Sequence, residues 1–206
     1  MLFQGINMDQ TLTKILQSAS DNPEYQAIAN YLMSRRAMPN IQYGGKPEVF
    51  GTFTPPSLFN QQYRNGNLTI NPNAAFVPPQ EVAPVMQHEM THAAYNQLFY
   101  QADALRKSKQ PKTEAEQRFL DTFDKITKGV PDQLKAIDAT YQEKNKGYRA
   151  NTDESLAFAL QNASNPAYKE GWNAPTHVDP TLATQLMILL DQAQNLQNKK
   201  PQSQGR

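Results

Sequence analysis

His88-Glu89-Met90-Thr91-His92, set inside the run Pro78 to Lys107, is the stretch from which the rest of the chain is read. The run has the composition of one long helix. Residues four apart on a helix share a face about one turn above each other, so the imidazoles of His88 and His92 converge on one point. Two imidazoles at one point suit a zinc ion. Glu89, beside the first of them, can reach a water held there and act as its general base. Glu81 places an acidic residue in the first turn, favourable to the helix dipole. Pro84 falls a turn before His88, so the helix either starts near Ala83 or bends there; the turn carrying the motif survives both.

Composition bounds what such a site can be. The chain has 206 residues, enough for one domain with a real core. We read that domain over residues 8–198, with 1–7 as an engineered or disordered start and 199–206 as a frayed tail. Cysteine is absent, so thiolate ligands, disulfides and a cysteine nucleophile are excluded. Any metal is held by His, Asp or Glu. Twenty basic against nineteen acidic residues give a net charge of +1, which offers no electrostatic case for nucleic acid or an anionic membrane. The longest apolar candidate, Leu186 to Leu190, falls far short of the roughly 20 residues that span a bilayer. The chain reads as soluble. Leu2-Phe3-Gln4-Gly5 resembles the remnant of an engineered protease-cleavage sequence, so the lack of a visible signal peptide leaves the compartment open between export and cytoplasm.

Around the motif helix the apolar spacing predicts a helix-rich α+β chain. Leu12, Ile15, Leu16 and Ala19 recur at helical spacing over Met8 to Ser20, and Asp21-Asn22-Pro23 opens a second helix carrying Tyr25, Ile28, Ala29, Leu32 and Met33. From Val49 to Asn71 strand formers take over. We expect a small sheet with strands near 48–54, 58–64 and 67–71 and a tight turn at Asn65-Gly66. Further helices follow over Thr113 to Lys128, Pro131 to Lys144, Thr152 to Ala163 and Asp179 to Gln197. A strand lying just before the motif helix could form an edge of the cleft and hold an extended peptide. Leu68 and Ile70 are the residues expected there.

A catalytic zinc generally takes three protein ligands and keeps one position open. The third ligand must come from His177, an aspartate or a glutamate. The metzincin pattern is excluded, because Tyr95 and Leu98 stand where its glycine and third histidine would. His88-Glu89-x-x-His92 followed by Glu154-Ser155-Leu156-Ala157-Phe158-Ala159 resembles the gluzincin type of zinc metallopeptidase, in particular the lethal-factor-like and Pro-Pro endopeptidase-like proteases. The resemblance covers about residues 66–160 and rests on those two segments. It implies a zincin-like fold, Glu154 as third ligand with Asp153 as the fallback, and a tyrosine before that ligand helping to stabilise the oxyanion. Tyr148 is the nearest match, one residue off the expected spacing, and His177 is its rival near the substrate. Thermolysin-like relatives place an aspartate one turn after the third ligand to orient a histidine; Phe158 stands there instead, so another carboxylate or a carbonyl must orient the rings.

These residues lead to the expectation of a zinc-dependent metalloendopeptidase acting on a peptide or protein substrate, with Glu89 activating the zinc-bound water. A second reading belongs to another class: a binding or structural protein in which zinc or the motif helix is architectural. An open coordination position separates the two.

Overall fold

Helices form where the apolar spacing places them. Helix α1 runs Met8–Ser20 and buries Ile15 and Ala19. Helix α2 runs Pro23–Ser34, with proline in its first turn and the Asn22 side chain accepting the Tyr25 amide at 3.0 Å to cap it. The structure, a computed structural model, describes residues 8–45, 51–56, 65–128, 152–164 and 181–198. The expected strand at 58–64 and the expected helix over 131–144 lie outside the described residues, as do Tyr148 and His177.

Among the described residues three short strands form one sheet: β1 (Asn40–Tyr43), β2 (Gly51–Thr54) and β3 (Asn67–Ile70), in the order β1-β3-β2. β1 runs parallel to β3 with Ile41 opposite Leu68, and β2 runs antiparallel to β3 with Phe53 opposite Leu68. β1 is the element the sequence reading missed. Its Ile41 and Tyr43 do alternate with Asn40 and Gln42, but four residues between Pro39 and Gly44-Gly45 are too short a run for the period to stand out. Gly66 turns the chain with φ +84, and the Asn65 amide ties the turn to the carbonyls of Arg36 and Met38 at 2.9 and 3.1 Å.

The sheet order corrects the expected substrate ledge. β3 is the central strand, paired on both sides, and its Leu68 and Ile70 are 0% exposed. They belong to the core and line no cleft. The edge strand nearest the motif helix is β2.

A short 3-10 turn, Pro72–Phe76, leads into α3, Pro79–Lys107, which carries the motif. Pro84 lies inside α3, so the helix begins a turn before it and continues through it. Proline so near the N-terminus removes only one backbone donor. Then follow α4 (Glu114–Lys128), α5 (Thr152–Ser164) and α6 (Thr181–Asn198). α3 is central: α1, α2, β2 and α5 all pack on it, while α4 packs mainly on α6 and stacks Phe123 on Tyr95 of α3. The buried side chains form one continuous apolar cluster. The described part is thus helix-rich α+β. Among the described residues no helix is long and apolar enough to cross a membrane.

Because Ile70 is wholly buried in the central strand, Ile70→Ala should lower the unfolding free energy by about 2–5 kcal/mol in urea denaturation. A residue that only met substrate would lose far less.

Candidate metal centre

Two helices build the site. α3 contributes the consecutive buried residues Gln87 to His92, and α5 contributes Asp153, Glu154, Phe158 and Gln161. His88 meets Gln161 while His92 meets Asp153 and Glu154, so numbering rises along one helix as it falls along the other and the two run antiparallel. One further bond crosses between them at this level, from Gln87 to the Leu160 carbonyl at 3.4 Å, while the Thr91 hydroxyl turns back within α3 on the Gln87 carbonyl at 2.8 Å.

His88, His92 and Glu154 converge. The two Nε2 atoms lie 3.1 Å apart, and Glu154 Oε2 lies 3.3 Å from that of His88 and 3.6 Å from that of His92. Ligands bound about 2.0–2.1 Å from one zinc at tetrahedral angles lie about 3.3 Å from one another. The triangle therefore has the size of one face of a coordination tetrahedron. These three residues could hold a metal ion, and among the described residues they are the group that could.

The outer side of each imidazole points to the same conclusion. His88 Nδ1 lies 2.9 Å from Gln161 Oε1, and His92 Nδ1 lies 2.9 Å from Asp153 Oδ2. An amide carbonyl and a carboxylate oxygen only accept, so each ring holds its proton on Nδ1 and turns Nε2 inward. Phe158 closes the arrangement by packing edge-on against His88, with ring centroids 4.5 Å apart. Two inward nitrogens facing a carboxylate oxygen repel unless a positive charge joins them. Without metal, a proton supplies it. Burial is the largest influence on His92 and would lower its pKa, but the Asp153 hydrogen bond and the charges of Asp153, Glu154 and Glu89 outweigh it and raise the pKa to about 9.

Glu89 faces another way. One residue along a helix is a rotation of about 100°, so Glu89 leaves the α5 side and meets β2, where its Oε2 accepts the Phe53 amide at 2.6 Å. Asp153, the fallback ligand, sits behind His92 on Nδ1 rather than in the triangle. The sequence reading missed Gln161 and the Phe53 amide. Gln161 had a signal: it stands seven residues after Glu154, on the same helical face. The amide had none, since every residue but proline carries one.

No protein-family model matches the chain, and no curated protein or solved structure matches it either. The site is therefore read from its own geometry.

The His92 environment carries a sign that can be measured without metal. Its folded pKa of about 9 lies above the unfolded value near 6.5, so the imidazolium stabilises the fold fully below about pH 6.5. That contribution is lost as pH rises through 9. Urea denaturation of the metal-free protein should give a higher midpoint at about pH 6 than at about pH 9.5, and Asp153→Asn should flatten the difference.

Proposed function

We propose that this chain is a metal-dependent peptidase of the zincin-like, gluzincin kind, with zinc as its ion. The observation that carries the reading is the triangle of His88, His92 and Glu154 with Glu89 one residue from the first ligand. Three ligands of this donor set suit zinc, and a three-ligand group fits an open catalytic position better than a closed architectural one. When bound, the ion would acidify a water and polarise the scissile carbonyl.

The chain's own groups do the rest. Glu89 takes a proton from the attacking water as its oxygen bonds to the carbonyl carbon. It then passes that proton to the amide nitrogen as the carbon–nitrogen bond breaks, releasing a carboxylic acid and an amine. Gln161 and Asp153 hold the two imidazoles in the tautomer that turns Nε2 inward. Sheet edge β2, rather than the central β3, is the strand beside Glu89, and an extended peptide would align along it. Tyr148 and His177 remain proposals for oxyanion and substrate contacts.

Glu89→Gln should keep stoichiometric zinc yet lose peptide hydrolysis by about 10²-fold or more, whereas His92→Ala should lose the metal. Cleavage of an unbiased peptide library, read by mass spectrometry alongside metal analysis, checks both. Full hydrolysis by Glu89→Gln would rule out its role as base.

A further inference from the structure

The contact between Glu89 and the sheet is more specific than packing alone requires. Alternate residues of an antiparallel strand turn their N–H groups towards and away from the partner. Phe53 donates to Glu89 on α3, so its N–H is one of those turned away from β3, on the side of β2 where no described strand pairs. Such an amide usually goes to solvent. Here it reaches a carboxyl group that is only 8% exposed, at 2.6 Å, short for an N–H···O bond.

Gly51 makes the approach possible. A Cβ at this position would stand 2.7 Å from Val85 Cγ1, 3.0 Å from Glu89 Cγ and 3.5 Å from Glu89 Oε1. Val85 and Glu89 are four residues apart on α3 and form one stripe facing β2. A side chain at 51 would have to displace Val85 or Glu89, or move the strand off that stripe. The glycine therefore sits where β2 lies too near Val85 and Glu89 for a side chain to fit without displacement.

We propose that β2 is a positioning element for Glu89: the Phe53 N–H fixes Oε2, Gly51 permits the contact, and Oε1 is the oxygen left for proton transfer. A glutamate has three side-chain torsions to order, and ordering them before substrate arrives removes that cost from the reaction. The catalytic consequence rests on the peptidase reading, whereas the contact itself does not.

Amide hydrogen exchange of the full-length chain tests the contact independently of any activity. The Phe53 amide should be protected although it lies on the outer side of an edge strand, and Glu89→Ala should speed its exchange about tenfold or more while Leu68 and Ile70 amides change little. Unchanged Phe53 exchange in Glu89→Ala would overturn the proposal. Gly51→Ala supplies the functional arm. It should speed Phe53 exchange and lower kcat by about tenfold or more, with zinc affinity and KM near wild type, and Val85→Ala added to it should restore part of both. Wild-type kcat and wild-type Phe53 protection in a folded Gly51→Ala protein would also overturn it. If the wild type cleaves no peptide, the peptidase reading fails, and the exchange data alone decide the positioning of Glu89.

Discussion

The structure depends on a rotation of one residue. His88 and Glu89 are neighbours in the chain, and on a helix neighbours point about 100° apart. His88 and His92 therefore face α5 while Val85 and Glu89 face β2. One helix serves two partners, and each partner is placed by what it does for the residue it meets. α5 brings Glu154 to the two imidazoles and sets Gln161 and Asp153 on their outer nitrogens; β2 brings the amide that Glu89 accepts. This explains why α3 is buried over Gln87 to Ala94 on all sides and why elements from both ends of the chain pack against it.

Electrostatics sets the second constraint. A buried cluster of two imidazoles with Asp153, Glu154 and Glu89 close by is costly without a compensating charge. The His92 environment meets that demand with a proton. A divalent cation would satisfy the same groups together, with Nε2 of both rings already turned towards it. Hydrogen bonds on the outer side of each ring keep that orientation whichever cation is present. The polarity of the α3–α5 contact is thus tied to the inward triangle rather than spread through the core.

How much was legible in the sequence differs by element. The motif helix, its pair His88 and His92, and their partner Glu154 could be found because helical spacing and the few side chains able to share a metal with two imidazoles constrain them strongly. The helices at Met8–Ser20, Pro23–Ser34 and Glu114–Lys128 followed from apolar periodicity and capping. Sheet order did not follow. Strand pairing is non-local, and nothing in Leu68-Thr69-Ile70 says whether its neighbours lie on one side or both. The expected ledge at Leu68 and Ile70 failed for that reason. Asp153 entered the sequence reading only as a fallback to Glu154, and its place on the outer nitrogen of His92 was not legible there, because a carboxylate at a helix start can meet either side of an imidazole and only distance separates the two. Gly51 and the Phe53 amide belong to a close approach of backbones, which a sequence does not display.

The most direct measurement is zinc-edge X-ray absorption on protein reconstituted with zinc, comparing the wild type with Glu154→Gln. The expected result is one zinc per chain, two imidazole scatterers and light oxygen ligands that include one from outside the protein, with affinity lowered about tenfold or more in Glu154→Gln. Failure to bind zinc stoichiometrically, or a shell closed by four protein ligands, would contradict it.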